Sequence, residues 1–341
     1  MRKYLNFFIV FLTLNFLFST QVLSVDCTAV SGTTVTITTS CSELSIGGDG
    51  PNVTINSGVT INGAGTDSAV SAGGNATITN NGTILTTGIR SFRTSGNQVD
   101  ELINNGIITA GGREGIRNGG TITILTNTII GVISADGDQA INNRAAGTIE
   151  TITNSGTITA GGKEGLRNKG TIGTITNSGT ISAVGRYGLF NYSNGTITEL
   201  NNSGTIASTG DDYGLYNAGT ITTLTNTTSG IISADDDYGL KNTGTITTLT
   251  NTGTIFASGN SGNKIGIYND STITTLNNLQ GASGSALTYE GTLPTNYNVI
   301  VNKPDDYGQI VFTSPSGTTT FGVDSSSTLA DVDTTYSSVL S

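Results

Sequence analysis

The sequence predicts an all-β chain: a single-stranded parallel β-helix, a solenoid of about 9–10 coils with N- and C-terminal caps. Three observations predict it. The first is repetition. Tyr213–Asn226 reads YGLYNAGTITTLTN and Tyr238–Asn251 reads YGLKNTGTITTLTN, differing only at Tyr216/Lys241 and Ala218/Thr243. The second is a set of aliphatic columns stepping by 23 to 27 residues. One runs Ile116, Ile141, Leu166, Leu189, Leu215, Leu240, Ile267; others pass through Ile122, Leu125 and Ile133 and their counterparts. The third is local pattern. Segments such as GTITTLTN alternate apolar and polar residues and are bounded by Gly, Asn or Ser-Gly, which marks short strands joined by turns. Several such strands per 25-residue unit make one coil, so each column stacks at the ~4.8 Å spacing of neighbouring strands.

The elements follow in chain order. Residues 1–24 are expected to be a secretory signal peptide: Arg2 and Lys3, an apolar run Leu5–Phe18, then Val22-Leu23-Ser24. That run is shorter than the ~20 residues a membrane span needs, and no later segment reads as a transmembrane helix. Residues 25–50 are expected to form an N-terminal cap. They hold both cysteines, Cys27 and Cys41, and export favours a disulfide between them over two free thiols. Coils occupy 51–280. Two asparagine columns accompany them, one from Asn118 to Asn269 and one from Asn80 to Asn278. They are expected at corners, as residues tolerant of left-handed backbone and able to form amide ladders. After Asn278 the period fails. LTYEG, YNVIVN, GQIVFT and TTFGVD read as antiparallel strands of a C-terminal cap, 281–324, and 325–341 reads as a linker.

The signal peptide, the NSGTITA and GLRNKGTI coils and the ending LTYEGTLPTNYNVIV…YGQIVFTSPSGTTTFGV…TYSSVLS together resemble an autotransporter passenger domain. The resemblance covers most of the chain and implies a pectin-lyase-like β-helix displayed at the cell surface. It also implies a translocator barrel after the linker. No barrel strands precede Ser341, so the expectation is a fragment, a product served by a separate outer-membrane translocator or lacking one, or a freely secreted relative.

Net charge is −10, or −12 without Arg2 and Lys3, and no basic stripe is evident along the sequence. That argues against nucleic acid as a partner. The column Arg113, Asp138, Lys163, Arg186, Asp212, Asp237, Lys264 mostly alternates in sign, so coil-to-coil ion pairs are expected. Asp211, Asp212, Asp236 and Asp237 break the alternation and form a Ca²⁺ candidate, with a solvated acidic edge as the alternative. Tyr187, Tyr213 and Tyr238 fall in one column, either a packed ladder or a sugar-stacking surface. No catalytic residue is assigned: the chain has no His and no nucleophile motif. A polysaccharide lyase or hydrolase is the enzymatic alternative. The outward pairs Thr121/Thr123, Thr196/Thr198, Thr220/Thr222, Thr245/Thr247 and Thr272/Thr274 raise ice binding as another, although Glu150 and Gly173 interrupt that array. The expectation is an exported, non-enzymatic surface or extracellular protein needing no cofactor. Its elongated face would serve adhesion, aggregation or coating, with surface glycans or other cells as partners.

Overall fold

The computed structural model describes residues 27–29, 32–65, 67–94, 96, 98–210, 212–259, 264–281, 284–328 and 339–340. The expected signal peptide, most of the final linker and Asp211 lie outside them. Every described element is a strand. The strands form three parallel sheets that wind as a β-solenoid of about eleven turns. One full coil shows the plan. Glu114–Asn118 lies in the first sheet, Thr121–Asn127 in the second and Val132–Ala135 in the third. Gln139–Asn143 then returns to the first sheet directly over Glu114–Asn118, with Ile116 on Ile141 and Asn118 on Asn143.

This register turns the sequence columns into a continuous core. Ile116, Ile122, Leu125 and Ile133 are all fully buried, as are their counterparts through Ile255 and Leu276. Each such side chain contributes about 1.5–3 kcal/mol by leaving water. One coil alone has two open faces, so the burial is complete only when neighbours stack on both sides.

The three corners are built differently. Between the first and second sheets runs the ladder from Asn118 to Asn269; between the second and third runs the ladder from Asn80 to Asn278. Every rung is fully buried. The Nδ2 of Asn177 donates to Oδ1 of Asn202 at 2.8 Å, to the Thr205 carbonyl at 3.1 Å and to the Gly179 carbonyl at 3.3 Å. Its own Oδ1 accepts from Asn154 at 2.7 Å. One amide thereby satisfies carbonyls of its own coil and of the next, which buried corners require. Left-handed backbone plays no part here. Among the described non-glycine residues only Asn75, Lys264 and Ser314 have positive φ, so the ladder asparagines are extended strand ends selected for their side-chain amides. The third corner has no ladder. It closes so tightly that a Cβ on Gly162 would collide with the carbonyl oxygen of Gly137 in the coil below.

Both ends continue the stack. Cys27–Ala29 pairs parallel with Leu44–Ile46, and Thr34–Ile37 with Asn52–Ile55. Cys27 and Cys41 are disulfide-bonded with Cα atoms 6.2 Å apart. Cys41 also bridges Ile61 of the third sheet, so the bond ties the first coil's opening strand to the next corner.

At the other end the expected antiparallel strands are parallel. Leu287–Thr292 and Ile310–Ser316 extend the first sheet, and Asn296–Val299 and Thr320–Val323 extend the second. Among the described strands only Val301–Lys303 with Asp306–Tyr307 is antiparallel. The inward letter changes here while the stacking persists. Tyr289 sits on Ile267 and Tyr297 on Leu276, both fully buried. Phe312 and Phe321 then cover them at ring separations of 5.6 and 5.7 Å, closing the apolar lumen with aromatic rings. The Tyr289 hydroxyl donates to the Thr292 carbonyl at 2.6 Å, and burial pushes the Tyr297 phenol up to about 12. Gln280 terminates the longer ladder, its Oε1 accepting from Asn251 at 3.0 Å and from the Ile255 amide at 2.8 Å.

Two outcomes follow for stability. Asn177→Ala strands a buried donor and a buried acceptor, so urea unfolding should show a loss of about 2–4 kcal/mol; a loss below about 0.5 kcal/mol would show that the ladder adds nothing. Replacing Cys27 and Cys41 by Ser should cost about 3 kcal/mol, matched by reducing the wild-type protein and measured in the same denaturation experiment.

Candidate functional site

The outer face of the first sheet carries the chain's chemically distinctive side chains, arranged in two adjacent columns. One runs Arg90, Glu114, Gln139, Glu164, Tyr187, with Tyr213 and Tyr238 continuing it through ring contacts. The other runs Arg93, Arg117, Asn142, Arg167, Phe190, Tyr216, Lys241, Tyr268 in strict register. The face therefore divides along the rod axis into a charged half and an aromatic half.

In the charged half the carboxylates are covered and engaged. Glu114 accepts from Arg90 Nε at 2.8 Å, bonds to Asn142 and has Arg117 Nε at 4.0 Å. Glu164 accepts from Gln139 Nε2 at 2.5 Å. Burial raises the Glu164 pKa, against the pull of that hydrogen bond and of Arg167, Lys163 and Arg186. The guanidinium groups lie further out. Arg93 and Arg117 line a cleft with Thr94, Gly96 and Gly119. Arg93 Nη1 binds Asp67 at 2.8 Å, while its Nε is buried without a partner. Burial lowers the Arg117 pKa, as do the charges of Arg90 and Arg144. Burial likewise lowers the Lys169 pKa, helped by Arg167 and Arg144. Arg93, Arg117, Arg144, Arg167 and Lys169 thus form a basic strip. No such stripe shows along the sequence because its members, Arg167 and Lys169 apart, are separated by whole coils.

The aromatic half is a stack of rings one coil apart. Tyr187 lies on Tyr213 with centroids 5.4 Å apart and planes 17° apart; Phe190 lies on Tyr216 at 4.7 Å and 3°; Tyr238 lies on Tyr268 at 4.7 Å and 25°. Those spacings match the distance between neighbouring strands. Lys241 is set among the rings, its Nζ donating to the Tyr213 hydroxyl at 3.0 Å and lying 5.5 Å from the Tyr268 centroid. Burial opposes its charge, but the hydrogen bond and the surrounding phenols prevail and raise its pKa. Tyr187 and Phe190 are buried; Tyr213, Tyr216, Tyr238 and Tyr268 are half-exposed and Tyr192 is exposed, with Lys169 Nζ 4.2 Å over its ring.

The alternating column at the third corner forms the expected cross-coil pairs. Asp138 binds Arg113 at 2.8 Å and Lys163 at 2.9 Å, and Arg186 binds Asp212 at 2.8 Å. Burial opposes ionisation of Asp138, but hydrogen bonds from Lys163 and Arg113 outweigh it and hold its pKa below the usual value. Of the Ca²⁺ candidates, Asp212 is engaged by Arg186. Asp237 has its pKa raised by burial, then by Asp236 and Asp212. Among the described residues no group of three or more His, Cys, Asp or Glu is placed to hold a metal, and Asp211 lies outside them.

The threonines occupy the second sheet. Thr121, Thr148, Thr171, Thr196, Thr220, Thr245 and Thr272 stack without interruption. Only the column two residues on is broken, at Glu150 and Gly173.

The fold and this face define a β-solenoid with one chemically elaborated side. Comparison with protein-family models, curated proteins and solved structures yields no match, so the functional argument rests on the face itself.

Two of the shifted carboxylates, Asp138 and Glu164, should act on stability with opposite sign. Asp138, with its pKa depressed, stabilises the fold above its unfolded pKa, and this is lost as pH falls through the folded value. Asp138→Asn should therefore lower Tm at neutral pH, with the gap closing in acid. Glu164, with its pKa raised, costs stability when ionised, and that cost disappears as pH drops below the ordinary carboxylate range. Glu164→Gln should raise Tm at neutral pH and lose that gain in acid. Thermal melts across pH check both; a lower neutral-pH Tm for Glu164→Gln would contradict the burial argument.

Proposed function

We propose that the protein is an exported, non-enzymatic β-helical surface protein of the autotransporter-passenger kind, which holds carbohydrate on the outer face of its first sheet to mediate adhesion. The observation that carries the reading is the aromatic strip that starts at the buried Phe190 and continues through the half-exposed Tyr216 and Tyr268, set beside fixed interior columns. Interior positions must match from coil to coil; this outward column is free of that requirement, yet it has accumulated rings. Aromatic side chains supply broad, rigid contact area at low entropic cost, and tyrosine adds a hydroxyl that serves sugar hydroxyls. The chain's signal-peptide pattern supports placement at the cell surface, in the outer membrane or outside the cell.

The enzymatic alternative, a polysaccharide-cleaving β-helix, would use the same face. Glu114 and Glu164 are its carboxylates, but both are buried behind hydrogen-bond partners, which favours a structural role for them. A second reading is favoured by the unbroken column of seven threonines on the second sheet: an ice-binding surface, testable by thermal hysteresis.

A glycan array probed with the purified rod should show binding to a defined set of polysaccharides without release of reducing ends. Tyr216→Ala with Tyr268→Ala should weaken that binding about tenfold, the equivalent of roughly 1.4 kcal/mol, and reduce attachment of coated beads to cells. Full binding by this double variant would remove the aromatic strip from the explanation.

A further inference from the structure

The charged half of the same face gives the ligand a chemistry. Of the 14 Lys and Arg in an otherwise acidic chain, Arg90, Arg93, Arg117, Arg144, Arg167 and Lys169 gather there. The carboxylates that could neutralise them are few and committed. Glu114 is taken by Arg90 and Asn142, Glu164 by Gln139, and Asp67 is shared between Arg90 and Arg93. Arg117 reaches Glu114 only at 4.0 Å, Arg167 Nε donates to Asn142 at 3.3 Å, Arg144 and Lys169 stand beside them, and Arg93 keeps a buried N–H without an acceptor. A surface that gathers guanidinium groups against their mutual repulsion is completed by an anion, and the planar fork of arginine fits carboxylate and sulfate.

The basic strip is continuous with the rings. Arg167 is in register with Phe190, and Lys169 lies over Tyr192. Within the charged half, Arg93, Arg117, Arg144 and Arg167 fall on successive coils, which suits a linear polymer whose charge also repeats. Within the aromatic stack Phe190 and Tyr216 are parallel and in contact, which leaves no slot for a nucleobase between them.

We infer that the first-sheet face binds an acidic polysaccharide along the rod axis, its carboxylate or sulfate groups on Arg93, Arg117, Arg167 and Lys169 and its sugar rings on the neighbouring aromatic strip. The inference rests on the carbohydrate-binding function proposed above and adds the charge of the ligand.

The test is calorimetric titration of the full chain with heparin, polygalacturonate and neutral dextran, at low and high salt. The acidic polymers should bind at least about tenfold more tightly than dextran and weaken as salt is added. The sulfated and carboxylated arms report which group is preferred. The double variants Arg93→Gln/Arg117→Gln and Arg167→Gln/Lys169→Gln should each lose about tenfold in affinity for the acidic polymer. Each should lose less affinity for dextran than for the acidic polymer. Arg117→Lys, which keeps the charge and loses the fork, should fall between. Equal affinity for dextran and the acidic polymers would overturn the inference and leave the carbohydrate reading standing; no binding to any polysaccharide would overturn both. Binding of single-stranded DNA or anionic vesicles as tight as that of heparin would also overturn it, reducing the strip to a general polyanion surface.

Discussion

In-register parallel stacking is the constraint on which the rest of the molecule depends. Each coil lies one strand spacing from the next, so a residue's main neighbour is its counterpart about two dozen positions away. A column must then be compatible with itself. Isoleucine on isoleucine fills the lumen; asparagine on asparagine hydrogen-bonds; glycine on glycine lets the third corner close. Where charges stack directly they must alternate or be otherwise compensated, because like charges opposite one another destabilise a sheet. Arg113, Asp138 and Lys163 follow that rule. The first-sheet face departs from it where Arg93 stacks directly on Arg117, and the corner column departs from it where Asp212 neighbours Asp237.

The solenoid itself was legible because inward positions repeat nearly verbatim. The GTI triplets mark where Ile122, Ile149 and Ile172 enter the lumen, and spacing alone places them over one another. The last turns were misread because Tyr289 and Tyr297 replace the aliphatic letters just where the coil shortens and leaves the third sheet. A tyrosine in an aliphatic column breaks the pattern a reader follows, although it fills the same volume at the closing end of the lumen. The asparagine ladders were legible as columns but not in their mechanism. Only the structure shows that strand-end amides, and not left-handed corners, are what the positions demand.

The functional face was half legible. Tyr187, Tyr213 and Tyr238 could be aligned by hand, and so could Arg117, Asn142 and Arg167. Joining these columns to Arg93, Arg144 and Lys169 required knowing which corner residues lie beside which strand. A short sequence signal does exist: GREG and GKEG each place a cation next to a glutamate at the start of a first-sheet strand. That glutamate, Glu114 or Glu164, folds onto the face and is covered there, something that composition alone would not reveal.

The asparagine ladders also have a direction. Each amide offers its N–H groups towards the C-terminal end and receives at its oxygen from the N-terminal side. Every rung therefore presents the same socket below and the same plug above. A complete coil can be copied or excised in the gene with both joints still matching, whereas a partial coil leaves the connection mismatched. The 25-residue step between Tyr213–Asn226 and Tyr238–Asn251 has the form of such a copy. Rod length is accordingly a heritable quantity that changes in whole turns, and with it the extent of the first-sheet face.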